Sequence, residues 1–266
     1  MKFIDKLLDA SRKNNSWLCI GLDPDPELMP ELDVLQFNKA IIEATSDLVC
    51  AYKPNLAFYE ALGTEGLAVL KKTIKCIPGN IPVIGDAKRG DIGNTARAYA
   101  RALFSVLGLD ATTVNPYLGF DSIEPFINYR DKGVFILCRT SNKGAADFQD
   151  LSIDGLPLYE AVARKAREWN TNGNIGLVVG ATYPEELKKV RSICPEMPLL
   201  IPGVGTQGGD LASAVGHGVD ARGEKAIINV SRQILYASRE KDFALAARNV
   251  AEGIRSQIND HRNKAG

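Results

Sequence analysis

Residues 81–103 read IPVIGDAKRGDIGNTARAYARAL, and the change of pattern inside this stretch decides the fold. Its first part, 81–87, is a nearly continuous apolar run that ends at Asp86 and Ala87. A strand with one wet face alternates apolar and polar residues. A run without alternation suits a strand buried on both faces of a parallel sheet. Past the glycines the spacing becomes helical, and a helix is predicted over 93–107. A buried strand followed by an amphipathic helix is the repeating unit of a parallel α/β fold.

The unit recurs on both sides. Strands are predicted near 17–23, 48–54, 81–87, 111–115, 133–139, 175–181, 198–203 and 225–230. Helices are predicted over 36–47, 64–76, 93–107, 120–130, 157–170, 184–193, 209–217 and 240–257. Eight strand–helix pairs in 266 residues point to a (β/α)₈ (TIM) barrel. With no Ser/Gly/Pro linker in the chain, residues 1–266 are expected to form a single domain. An open, doubly wound sheet is the alternative. The first residues, MKFIDKLLDASRKNNSW, read as a short charged amphipathic helix rather than a leader peptide.

Composition narrows the functional classes. Formal net charge is zero, which gives no general basic surface for nucleic acid. No apolar run reaches the roughly 18 residues of a membrane span. Five cysteines stand apart with no Cys-x-x-Cys or Cys/His cluster, as expected of buried thiols in a reducing cytoplasm. Two histidines leave little room for histidine-based catalysis. Asn14-Asn15-Ser16 and Arg89-Gly90-Asp91 match short motifs by chance in such a compartment.

In a barrel, catalytic groups gather at the C-terminal strand ends. Asp86 and Lys88 stand two apart at such an end and are expected to face one way. Lys53 ends the neighbouring strand, and Asp91 follows just after. Two lysines and two carboxylates of alternating sign each keep their neighbour charged. The plain alternative is a structural ion pair, with Asp91 capping the helix that starts near 93. A second segment, Pro202-Gly203-Val204-Gly205-Thr206-Gln207-Gly208-Gly209-Asp210, leaves the seventh strand and opens a helix. Its glycines free backbone N–H groups to meet an anion. Ser231-Arg232 ends the eighth strand, and the loops after strands seven and eight often form a phosphate site in barrels. The same segment contains a literal G-x-G-x-x-G. A dinucleotide reading fails because only one strand and one long helix follow, and that strand ends in Ser231-Arg232 instead of an acid. Asp23, ending the first strand, suits hydroxyl recognition. Ser141, after the fifth strand, suits a base edge. The polar stretch that begins the 140–174 gap suits a mobile loop over the site.

Taken together, these residues resemble the orotidine monophosphate decarboxylase family, from Asp23 to Arg232. The signature D-x-K-x-x-D, with Ile and then Thr behind it, stands here as Asp86, Lys88, Asp91, Ile92 and Thr95. The wording DAKRGDIGNTA and CRTSNKGA is similar to the longer bacterial subgroup. The resemblance implies a cofactor-free, metal-free homodimeric barrel in the cytoplasm that turns orotidine 5′-monophosphate into UMP. It implies Lys88 as proton donor to C6, Asp86 beside the substrate carboxylate, and Lys53 orienting Asp86 and a ribose hydroxyl. Asp91 and Thr95 match positions that reach the partner subunit's site. Asp23 is expected on ribose and Ser141 on the pyrimidine. Gln207 and Arg232 are expected on phosphate, with Pro202 in the same substrate-binding set. A fused transferase domain is not expected. Two other readings stay open: a metal-dependent sugar-phosphate decarboxylase or aldolase of the same superfamily, and a nucleotide-binding barrel without chemistry. The first is expected to carry an acid where Lys53 stands. The second is disfavoured by the complete set Lys53, Asp86, Lys88 and Asp91.

Overall fold

The computed structural model describes residues 1–205 and 208–265. Eight parallel strands form the predicted barrel: β1 (Leu18–Leu22), β2 (Ala51–Pro54), β3 (Ile84–Arg89), β4 (Ala111–Val114), β5 (Gly133–Arg139), β6 (Ile175–Val179), β7 (Leu199–Pro202) and β8 (Ala226–Val230). Their order around the sheet is β2-β1-β8-β7-β6-β5-β4-β3. Two bridges, Tyr52 to Val83 and Asn55 to Asp86, join its ends and close the ring. Closure leaves no sheet edge to be paired elsewhere.

The surrounding helices are α1 (Phe3–Asn14), α2 (Val34–Thr45), α3 (Leu56–Glu60), α4 (Gly66–Cys76), α5 (Gly93–Arg101), α6 (Phe120–Ile127), α7 (Leu158–Trp169), α8 (Pro184–Ile193), α9 (Leu211–Gly218), α10 (Arg232–Leu235) and α11 (Phe243–Ala265). The predicted helix 93–107 is α5 followed by a π-helical turn over Ala102–Val106. The short α3 and α10 carry too few residues to show a period, and the sequence reading missed both. The helix predicted over 240–257 runs on to Ala265. The 140–174 gap is more ordered than a plain loop. It holds a 3₁₀ turn at Lys143–Asp147 and a small antiparallel hairpin, Ser152–Ile153 with Leu156–Pro157, before α7. Among the described residues, no helix is long and apolar enough to cross a membrane.

Two departures from the predicted strands matter. The strand predicted at 48–54 is in register with β1 only from Ala51, just after the Cys50 N–H meets the Leu18 carbonyl at 2.8 Å. The strand predicted at 81–87 starts at Ile84 and runs to Arg89. Pro82 has no N–H to give a ladder and contributes only its carbonyl, which accepts from the Tyr52 N–H at 3.1 Å. Further on, the pairing of β3 with β4 shifts register between Gly85 and Arg89. This irregularity sits on Asp86 and Lys88, and such bulges re-aim side chains at the rims of barrels.

The floor of the barrel is sealed by α1. Phe3 meets Phe135 edge-on, with centroids 5.7 Å apart, and Lys6 Nζ donates to Asp110 Oδ2 at 2.8 Å. Phe3 and Leu7 are buried, each worth roughly 1.5–3 kcal/mol against exposure. Gly133 permits this, since a Cβ there would overlap the Phe3 ring.

Candidate active site

A cavity of about 520 Å³ opens where the strands end. Seven of the ten residues singled out from sequence line it: Asp23, Lys53, Asp86, Lys88, Ser141, Pro202 and Arg232. Gln207 lies outside the described residues. Asp91 and Thr95 are not part of the lining. Asp91 Oδ1 instead accepts its neighbour's N–H, from Ile92 at 2.8 Å, so within one chain it does not join the alternating charges. Nor is it the helix cap, since Ile92 occupies the N-cap of α5.

The centre of the cavity is a chain of three charges. Lys53, only 3% exposed, donates from Nζ to Asp86 Oδ2 at 2.9 Å. Asp86 Oδ1 accepts from Lys88 Nζ at 2.5 Å and from Thr113 Oγ1 at 3.0 Å. The Thr113 hydroxyl also accepts the Lys88 backbone N–H at 2.9 Å, so one side chain of β4 fixes both ends of the Asp86–Lys88 pair. Lys88 has φ +47°, a left-handed conformation that costs a non-glycine residue on the order of 1–2 kcal/mol. Strain of this kind concentrates at functional sites.

Burial and charge oppose each other here. Burial alone pushes the Asp86 carboxyl up, but Lys53 and Lys88 outweigh it and hold the group well below the ordinary carboxylate range. Burial pushes Lys53 down, yet Asp86 and Asp23 together lift it above the usual lysine range. The pair is therefore an ion pair at neutral pH. Beneath it, burial raises the Cys19 thiol to about 12, so this cysteine is an uncharged packing group.

Around this centre stand acceptors without partners. Asp23 Oδ1 and Asn229 Oδ1 are buried and take no hydrogen bond within the described residues, and both residues line the cavity. Leaving such atoms unpaired costs on the order of 1–3 kcal/mol each, an arrangement that favours a ligand bearing hydroxyl or amide donors. Tyr236 steadies the Asp23 segment. Its hydroxyl donates to the Asp23 carbonyl at 2.6 Å and accepts the Asp25 N–H at 2.7 Å.

Pro202, Gly203, Val204, Ser231 and Arg232 line the cavity as well. Gly203, Gly205 and Gly208 all have positive φ, and Gly209 returns its N–H to the Gly203 carbonyl at 3.0 Å. The loop thus folds back on itself with backbone that only glycine adopts freely. At the start of helix α9 the Asp210 side chain takes the Ser213 N–H at 2.7 Å, which satisfies one of the N–H groups that a helix start leaves without an intrahelical partner. Gly21 is required beside this segment, since a Cβ there would collide with the Ser231 hydroxyl.

Thr113, Asn229 and Tyr236 escaped the sequence reading. The first two were detectable as polar residues inside the apolar runs ATTVN and AIINV. Tyr236, 213 residues from Asp23, leaves no local signal. Among the described residues, no group of His, Cys, Asp and Glu is placed to hold a metal ion. What the site offers is an ammonium fixed beside a buried carboxylate, buried acceptors ready for hydroxyl donors, and a glycine-rich loop with an arginine. That set can take a phosphorylated sugar and deliver a proton at its far end.

Comparison with known proteins agrees with this geometry. Residues 16–247 match the model of the orotidine 5′-phosphate decarboxylase / HUMPS family. The chain is 56% identical to an orotidine 5′-phosphate decarboxylase of Dehalococcoides mccartyi, over 99% of this chain and 100% of that one. It is 57% identical to another from Herpetosiphon aurantiacus, covering 95% and 96% of the two chains. The structure of Leishmania donovani OMP decarboxylase superposes with a TM-score of 0.88 at 42% identity, over 99% of this chain and 100% of that one. With the strand-end lysines and carboxylate in place, the chain belongs to the orotidine 5′-phosphate decarboxylase / HUMPS family.

Proposed function

We propose that the chain decarboxylates orotidine 5′-monophosphate to UMP and CO₂, in pyrimidine biosynthesis in the cytoplasm, with Lys88 as the proton donor. The observation that carries this reading is the Lys53–Asp86–Lys88 chain of charges at the mouth of the barrel. As the bond from C6 to the carboxylate breaks, its electron pair stays on C6, in the ring plane, where no π system takes it up. The Lys88 ammonium stabilises that charge as it forms. It then gives C6 a proton and regains one from solvent. Asp86, kept ionised by two lysines, faces the departing carboxylate. The reaction asks for no metal and no electron-sink cofactor.

Binding follows the cavity lengthwise. Asp23 and Lys53 hold ribose, Ser141 the pyrimidine edge, and Pro202, Gln207 and Arg232 the phosphate end. Remote phosphate contacts supply energy that positions the reacting end. The active unit is a homodimer in which Asp91 and Thr95 serve the partner subunit's site. In support, Ile92, Tyr117 and Leu118 expose large apolar side chains near Asp91. The two loops that carry them are tied by the Asn115 N–H on the Arg89 carbonyl at 2.8 Å. Lysine at position 53, where metal-using sugar-phosphate relatives are expected to carry an acid, favours this reaction over theirs. The test is UMP formation after dialysis against a strong chelator. Full activity is expected; activity lost to the chelator and restored by Mg²⁺ or Zn²⁺ would move the chain to the metal-using side of its family.

A further inference from the structure

Arg139, the last residue of β5, is 1% exposed and is not part of the cavity lining. A buried guanidinium must be paired on every side to be tolerated. Here its partners come from three separate segments. Nη1 donates to the Thr140 carbonyl at 3.1 Å. Nη2 donates to Asp150 Oδ2 at 3.1 Å, and Nε lies 3.0 Å from Asp150 Oδ1, within ion-pair reach but not aligned for a hydrogen bond. The face of the guanidinium lies on the Tyr183 ring, 3.6 Å from its centroid, at the residue that caps α8.

These contacts gather both ends of the segment 140–150 to one point. Gln149 reinforces the closure, since its Oε1 accepts the Thr140 N–H at 2.8 Å. Between the two ends lie Ser141 and Phe148, both lining the cavity. The backbone of Ser141 is pressed against Gly180, where a Cβ would collide with it, and its carbonyl accepts from Thr182 Oγ1 at 3.1 Å. The outer side of the loop therefore rests on the segment that also carries Tyr183.

We infer that Arg139 is a positioning residue: through Asp150 and Tyr183 it sets the shape of the 140–150 loop and thereby the place of Ser141 over the substrate. The inference rests on the proposed contact of Ser141 with the pyrimidine. A flat, five-donor guanidinium can join a carboxylate, a carbonyl and a ring at once, whereas a lysine ammonium offers neither the plane nor the fork.

The test uses Asp150→Asn, which keeps the size and one acceptor oxygen of a side chain that is 41% exposed, alongside Arg139→Lys. Both are expected to raise KM for orotidine monophosphate about tenfold with a smaller change in kcat. Both are also expected to speed tryptic cleavage after Lys143 in the ligand-free protein. Combined with Ser141→Ala, Asp150→Asn is expected to add little further loss, because both changes act on one contact. Unchanged KM, or losses that multiply in the double variant, would overturn the inference even if the melting temperature falls. A Ser141→Ala variant with ordinary KM would overturn the route through Ser141. A protein without orotidine monophosphate turnover would sink the functional reading instead, and the cleavage rates would then decide whether the loop is pinned.

Discussion

Lys88 reaches Asp86 across 2.5 Å from a backbone bent into the left-handed region. The chain accepts this conformation at the residue proposed as the proton donor. Replacing Lys88 with alanine or with glycine is expected to lower kcat by about 10²–10⁴-fold in either case, the usual worth of a positioned proton donor. The two variants should differ in stability. Glycine relieves the φ of +47° and alanine does not, so Lys88→Gly is expected to be the more stable by about 1 kcal/mol in urea unfolding. Equal stabilities would mean that the bend at this position stores no strain.

Asp86 is expected to change its protonation when Lys53 is removed. In the intact site its carboxyl is held below the ordinary 3.8, so its stabilising contribution is present above that value and is lost as pH falls through the lower, folded one. Lys53 is held above 10.5, and its contribution is present below that value and lost as pH rises through the folded one. Activity between these limits should not report either group. In Lys53→Met the burial of Asp86 meets one lysine instead of two, and its carboxyl should move upward. Carboxyl ¹³C shifts would show the move directly. A titration at the native position would mean that Lys88 alone sets the charge. The broken pair should also cost about 3–5 kcal/mol of stability.

Arg232→Ala is expected to act on the phosphate end. Loss of a charge-assisted contact should lower kcat/KM for orotidine monophosphate by several tens to several hundredfold, roughly 2–4 kcal/mol, with a much smaller effect on a substrate cut off before the phosphate. Equal losses on both substrates would make Arg232 a structural residue.

A site shared between subunits predicts recovery of activity from two dead proteins. Lys88→Ala and Asp91→Ala are each expected to be inactive. After subunit exchange, a mixed dimer has one site with both lesions and one with none. Random pairing makes half the dimers mixed, so about one quarter of all sites should regain activity. Differently tagged subunits establish that mixed dimers form. If they form and stay inactive, Asp91 serves its own chain.

How far the sequence carries depends on distance along the chain. The strands were legible because burial on both faces removes alternation, and their C-terminal ends located Asp23, Lys53, Asp86 and Lys88 before any coordinate. Boundaries slipped where pairing, not composition, sets them. Leu48 and Val49 are as apolar as a strand yet lie outside the strand β2. The bulge at Asp86–Lys88 is a register event between β3 and β4 and has no counterpart in either segment alone. Tyr236 supports Asp23 across 213 residues, and Asp150 meets Arg139 only because a hairpin and a 3₁₀ turn fold the loop back. Such partners emerge from closure of the barrel rather than from local pattern.

The helix that seals the barrel floor has a consequence for the order in which this chain is made. Phe3 and Lys6 leave the ribosome more than a hundred residues before the groups that receive them: Asp110 for Lys6, and Asp131 and Phe135 for Phe3. At about 5–20 residues per second, the apolar face of α1 waits roughly 5–25 s for its partners during synthesis. Such long-range contacts must also absorb the loop-closure entropy of more than a hundred residues before they give anything back. A growing chain of this protein therefore carries the apolar stripe of α1 uncovered until the fifth strand has emerged, and that interval is when a chaperone or a neighbouring nascent chain has most to bind.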